Sequence, residues 1–211
     1  MSGRELAHAL IETLPRGRKG LFNPWRDQCQ EDCSDNTPMA KEQRLAQHLD
    51  CQARFILCGE AAGYQGCRHS GIAFTSERLL LEGAIPRVPA PGSRLTHRLR
   101  PYSEPSATIV WRTLKSLGLE AQTLLWNALP LHPMKGHDSA SNRTPSDEEL
   151  RLGRPAMSLL LEHFPKAQVV AVGRKAESLL FEMGVPVAAS VRHPANGGAT
   201  EFARGLASLM G

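Results

Sequence analysis

No run of about 18 apolar residues occurs in this sequence, so no segment is expected to cross a membrane as a helix. The opening stretch, MSGRELAHALIETLPRGRKG, lacks the apolar core and small-residue cleavage site of a secretory leader. Internal repeats and low-complexity tracts are also missing. No Gly-Lys-Ser or Gly-Lys-Thr follows a glycine-rich loop, which excludes a phosphate-binding P-loop. Cysteine is sparse and odd in number: five residues, at 29, 33, 51, 58 and 67. Without a leader, that count points to a reduced, cytoplasmic setting. Cys29 and Cys33 have CxxxC spacing, with His48 and Cys51 further on, but no second cysteine pair follows. A closed structural site needs four ligands, so neither a metal nor a cofactor is expected. Cys58 lies in an apolar run and reads as core.

What is present fits one folded domain over residues 1–211. Hydrophobic residues make up 41% and charged residues 22% of the chain. The net charge of +4 and a pI near 8.9 suit a nucleic-acid partner but do not establish one. Residues 4–14 read as an amphipathic helix stopped by Pro15, and 39–49 as a second helix. Four short apolar runs follow, at 53–59, 123–129, 167–173 and 185–191. Helices are expected between and after them: a short one at 75–81, one opened by Pro105 and stopped by Gly118, one capped by Thr144 and bent at Gly153 and Pro155, one ending at Met183, and a last at 199–210. Alternating strands and helices predict a three-layer α/β/α sandwich around a four-stranded parallel sheet. Residues 53–211 would form its core, and residues 1–50 an N-terminal extension packed on it.

Parallel sheets place their sites in the loops beyond the carboxyl ends of the strands. After the first run comes Gly59-Glu60-Ala61-Ala62-Gly63-Tyr64-Gln65-Gly66, then Gly71-Ile72-Ala73-Phe74-Thr75. The glycines let a ligand approach the backbone closely. The second run carries Trp126-Asn127, whose amide pairs a donor and an acceptor that suit a nucleobase edge. The fourth ends in Arg192-His193-Pro194, and a His there can donate to an oxygen that gains charge. Singly, each has a plainer explanation: a solvated Glu60, a core Phe74, a turn-forming Asn127, a strand-ending His193. Their meeting at one sheet edge favours a site.

The segment 59–74 resembles the first motif of the uracil-DNA glycosylase superfamily, a glycine-rich loop followed by Gly-x-x-Phe-Ser/Thr. Trp126-Asn127 resembles the second motif, and His193-Pro194-Ala195 is similar to the last. Asn142-Arg143-Thr144-Pro145 looks like a segment of the branches whose first motif begins GEAPG. The likeness covers residues 53–211. It implies a DNA-repair glycosylase that hydrolyses the N-glycosidic bond of uracil or a related deaminated or modified base flipped out of DNA. Phe74 would then stack on the base, Asn127 read its edge, and His193 donate to its carbonyl.

The chain departs from that pattern at several points. The third loop position, the water-activating Asp of the best-known branch, is Ala61 here, so the GEAPG likeness gives that role to Glu60. Gly59, Ala61, Gly63 and Tyr64 would complete the base-binding loop. Gly63 replaces the Tyr that blocks a 5-methyl group in the uracil-strict branch, and Tyr64 stands next to it. Residues 195–198 hold no apolar wedge, and the iron–sulfur cysteines of the GEAPG branches are not present. Arg68, His69, Arg143, Arg192, Asn196 and Gly197 are the expected DNA contacts. A monomer acting on uracil- or lesion-containing DNA, with no membrane partner, is the expectation. The alternatives are a non-catalytic binder of damaged DNA or free base, and a small-molecule nucleoside or amide hydrolase.

Overall fold

The computed structural model describes residues 1–210. Helix α1 (Gly3–Glu12) is fixed by a capping box in which Ser2 and Glu5 satisfy each other's backbone N–H. A two-residue strand β1 (Leu21–Phe22) follows, then α2 (Pro38–Leu49), capped by Thr37 with Pro38 at its first position. Strand β2 (Phe55–Ala61) leads to the short helices α3 (Cys67–Ser70) and α4 (Glu77–Leu81), then α5 (Pro105–Ser116). Next come β3 (Thr123–Leu129), the two-residue β4 (His132–Pro133), α6 (Asp147–Arg151), α7 (Arg154–His163), β5 (Gln168–Val172), α8 (Arg174–Glu182), β6 (Val187–Val191) and α9 (Ala199–Ala207). No helix of the described residues is long and apolar enough to cross a membrane.

The main sheet is parallel in the order β3-β2-β5-β6, as the sequence predicts for its class. The chain enters at β2, moves outward to β3, and crosses back over β2 to reach β5. That reversal puts a crevice at the carboxyl end of β2. Period-2 alternation divides the core. Phe55, Leu57, Leu125, Val170 and Val172 face α5 and α9, packing with Val110, Leu114 and Phe202. Ile56, Cys58, Leu124, Trp126 and Ala171 face α1, α2, α7 and α8, packing with Leu6, Leu45, Met157 and Leu180. The first 50 residues therefore supply core side chains, and β1 pairs with β4 across the chain.

Several boundaries differ from the sequence reading. β2 begins and ends two residues later than the apolar run, because Ala61 still pairs with Leu129 although Glu60 is polar. The cap near residue 144 belongs to Ser146, which forms a capping box with Glu149. Gly153 and Pro155 divide the expected bent helix into α6 and α7. A Cβ on Gly153 would strike the carbonyl oxygen of Ala128, so this glycine permits the helix to press on β3.

One buried acid holds the long connection after α4. The fully buried Glu77 carboxylate accepts from Arg94 Nε at 2.7 Å, Thr96 Oγ1 at 2.7 Å, and the N–H groups of Leu95, Thr96 and Tyr102 at 3.0–3.2 Å. Removing it leaves those donors and one guanidinium without their acceptor. Glu77→Ala is expected to lower unfolding stability by about 3–5 kcal/mol, read as a fall in the urea midpoint with an unchanged slope.

Candidate active site

The crevice is built around a glycine. Gly59 lies beside Asn127 in the β2–β3 ladder. A Cβ on Gly59 would strike the ring of Phe74 and stand 2.8 Å from Asn127 Oδ1. Phe74 and Asn127 thus converge on the one strand position without a side chain. Phe74 reaches it with φ of 49°, a left-handed conformation that a bulky residue holds only at a cost of about 1–3 kcal/mol. Backbone strain of this kind marks a side chain fixed by its surroundings, and here it presents an aromatic face. His193 completes the group, with its ring centroid 5.8 Å from that of Phe74 and tilted by 35°. Gly173, at φ of 89°, ends β5 with only 3.3 Å between its hypothetical Cβ and His193 Cβ.

The protonation of His193 follows from its contacts. Its Nδ1 accepts the N–H of Ala195 at 3.2 Å. A neutral ring with that acceptor carries its proton on Nε2, which is then free to donate. Burial holds the imidazole below its ordinary pKa, so the neutral form prevails at neutral pH. The site therefore contains an aromatic platform, a side-chain amide and a neutral N–H donor on one face of the sheet.

Glu60 is not among the side chains that meet at Gly59. It has the strand parity of Ile56 and Cys58, which face α1 and α8. It is half-buried, and desolvation raises its pKa against the opposing pull of Lys175 in α8. Ala61 is half-buried in the ladder opposite Leu129. Tyr64 turns its ring edge-on to Tyr102, with centroids 6.3 Å apart, and its N–H donates to Asn142 Oδ1 at 3.1 Å.

A second acid, overlooked in the sequence, sits against the same loop. Glu104 precedes α5, fills the space that a side chain at Gly66 would occupy, and lies within van der Waals reach of Gly63. A Cβ on Gly66 would strike Glu104 Oε2, and one on Gly63 would stand 3.7 Å from Oε1. Ser106 Oγ donates to Oε1 at 2.7 Å, while Oε2 is shielded from solvent without a partner. Burial raises this carboxyl above its ordinary pKa. Gly66 also lies beside the carbonyl of Thr75, so Glu104 borders the Phe74 segment. The only hint in the sequence is an acid before a helix-opening proline, which reads as an ordinary helix start.

The expected DNA contacts divide in two. Arg192, Asn196 and Gly197 are exposed beside His193, with left-handed backbone at Asn196 and Gly197. Arg192 is tethered to Glu201 at 3.0 Å and to the Asn196 carbonyl at 3.2 Å. By contrast, Arg68 and His69 are buried. The Arg68 guanidinium lies 3.9 Å from the Phe22 ring centroid and donates to His132 Nδ1 at 2.9 Å. Both Arg143 Nη atoms bind Glu149 at 2.7 Å, and the side chain also donates to the carbonyls of Met134 and Gly20. These three residues are bound to internal partners. An open recess of about 400 Å³ lies elsewhere, between α4 and α5.

No curated protein matches this sequence. Among solved structures, wild-type SMUG2 from Pedobacter heparinus is similar, with a TM-score of 0.65 at 14% identity, over 100% of this chain and 97% of that one. That likeness concerns the fold. The family model described as the uracil DNA glycosylase superfamily matches residues 46–205, a span that takes in Gly59, Phe74, Asn127 and His193, and the chain belongs to this superfamily.

Proposed function

We propose that this chain is a DNA-repair glycosylase that releases uracil or a related deaminated base from DNA. The observation that carries the proposal is the convergence of Phe74, Asn127 and His193 around Gly59, with the His193 proton on Nε2. Hydrolysis breaks the bond from sugar C1′ to base N1. Positive charge grows on the sugar and negative charge on the departing base. Phe74 stacks on the extruded base, the Asn127 amide reads its edge, and His193 Nε2–H donates to the carbonyl oxygen that gains charge. Water oxygen then bonds to C1′, one of its protons passes to a carboxylate, and the base leaves.

Glu60 is assigned the water-activating role by its place in the loop. Glu104 is the second candidate, because α5 packs on the face that holds Phe74 and Asn127. The edge-on packing of the Tyr64 ring against Tyr102 supports a pocket without the wall missing at Gly63. A 5-substituent on uracil is therefore tolerated, where a wall would discriminate by about 1–3 kcal/mol. Arg192 and the 196–197 turn contact phosphates.

Single- and double-stranded oligonucleotides carrying uracil, 5-hydroxymethyluracil, hypoxanthine or xanthine test this reading, with alkali cleavage of abasic sites as readout. Product is expected from the uracil and 5-hydroxymethyluracil strands, and Asn127→Ala should slow it about 100-fold. Comparing Glu60→Gln with Glu104→Gln identifies the carboxylate, since the active one should show the larger loss of kcat. Product from none of the substrates refutes catalysis. Lesion-dependent binding without product would support a non-catalytic binder, a reading favoured by the group around Gly59, which holds Phe74 and Asn127 but no carboxylate. Binding that falls steeply with salt separates a DNA partner from a small nucleoside.

A further inference from the structure

The densest group of ionisable side chains outside this pocket lies where the N-terminal segment meets α3. Cys29, Glu31 and His69 each offer one ligand atom within 4.8 Å of the other two. His69 is fully buried, and its Nδ1 lies 2.7 Å from Asp32 Oδ1. In the neutral ring that bond holds the proton on Nδ1 and leaves the Nε2 lone pair free. Nε2 is shielded from solvent, has no hydrogen-bond partner, and faces Glu31 Oε2 at 3.7 Å. A carboxylate that fixes the far nitrogen of a histidine in this way is the usual support of a metal-bound imidazole.

The other parts are held as well. Stacking on Tyr102, with centroids 4.5 Å apart, sets the plane of the His69 ring. Tyr102 Oη donates to Glu31 Oε2 at 2.6 Å and Ser139 Oγ to Oε1 at 2.8 Å, so this carboxylate is oriented yet keeps free lone pairs. Asp32 Oδ2 pairs with the buried Lys41 ammonium at 2.5 Å, which cancels the Asp32 charge. What remains is one thiolate and one carboxylate, a charge of two against a dication.

We propose that Cys29, Glu31 and His69 form a binding site for a divalent ion of the zinc type. A mixed sulfur, nitrogen and oxygen set favours zinc over magnesium or calcium. A recess of about 140 Å³ lined by Cys29, Asp32 and Cys33 opens on the Cys29 side of the group. Cys33 is placed against His97 Nδ1 at 3.6 Å, Cys51 packs against the core, and His48 is buried with Nε2 on the Leu125 N–H. The set suggested by the spacing alone thus does not assemble, and Glu31 and His69 take the place of its later members. A metal here ties residues 29–31 to α3, between the glycine-rich loop and Phe74.

The test uses untagged full-length protein. After dialysis against zinc and then zinc-free buffer, elemental analysis should find stoichiometric zinc. Cobalt should give a near-ultraviolet thiolate charge-transfer band. Cys29→Ser should abolish that band, Glu31→Gln should weaken zinc binding at least about tenfold, and Cys33→Ser and Cys51→Ser should change neither. In wild-type protein, zinc should protect Cys29 from alkylation, mapped by mass spectrometry, which avoids reliance on any variant. No retained zinc, a cobalt band that survives Cys29→Ser, or unprotected Cys29 each overturns the proposal. So would an iron–sulfur absorption spectrum. None of these readouts depends on glycosylase activity.

Discussion

Replacing His193 by Ala is expected to slow base release by about 10²–10³-fold while leaving DNA affinity nearly unchanged. A donor aimed at the leaving carbonyl matters most once negative charge has formed there. Its loss therefore raises the barrier more than it weakens the ground-state complex. The structure makes His193 such a donor without a charged imidazolium: Ala195 N–H occupies Nδ1, and burial keeps the ring neutral. Because the pKa lies below its ordinary value, the rate should stay flat from about pH 7 upwards as far as this residue is concerned. Single-turnover kinetics on a uracil oligonucleotide measures the effect, with thermal unfolding of the variant as the control for folding. A loss under tenfold, or a proportional loss of affinity, would remove His193 from the reaction.

Much of this pocket was legible because its parts sit at strand ends, which short apolar runs ending in Gly or Asn reveal. The order of Gly59, Phe74, Asn127 and His193 along the chain is enough to suggest one sheet edge, and the structure gathers all four there. Which way a polar side chain faces was less legible. Glu60 follows a glycine and looks like loop, but the ladder runs on to Ala61 and makes it part of the strand. Arg68 and His69 look like surface charges in a polar stretch. Their partners Phe22, Asp32 and His132 are distant in sequence, and no local pattern announces them. Helix α3 escaped for a related reason, since four residues cannot show a 3.6-residue period. Glu104 depends on Gly66, some forty residues earlier, which reads as ligand clearance rather than room for an acid.

The same inward turn of polar groups ties the fold to pH, and the strongest case is His48. Strand β3 is an edge of the main sheet, and the N–H of Leu125 donates sideways to His48 Nε2 at 3.0 Å. His48 is fully buried, with Trp111 edge-on at 6.1 Å and Arg87 bonded to its carbonyl. Desolvation first, and then the Arg87 charge, lower its pKa to about 3. His132, buried beside Arg68, is lowered to about 4. In an unfolded chain both would titrate near pH 6.5. Between those values the unfolded state binds more protons than the folded state, so stability is full above about pH 6.5 and drains away as the pH falls. For His48 alone the loss approaches ~5 kcal/mol, comparable to the whole stability of a marginal domain. Urea unfolding at steps from pH 7.5 to 4.5 should therefore show a steep decline beginning near 6.5. His48→Gln, whose amide oxygen can still accept from Leu125, should flatten that decline by about 1.4 kcal/mol per pH unit. His48→Leu should flatten it equally but cost about 1–3 kcal/mol at pH 7.5, because the Leu125 N–H loses its acceptor. A wild-type stability constant down to pH 5 would mean that water, not His48, satisfies the edge of the sheet.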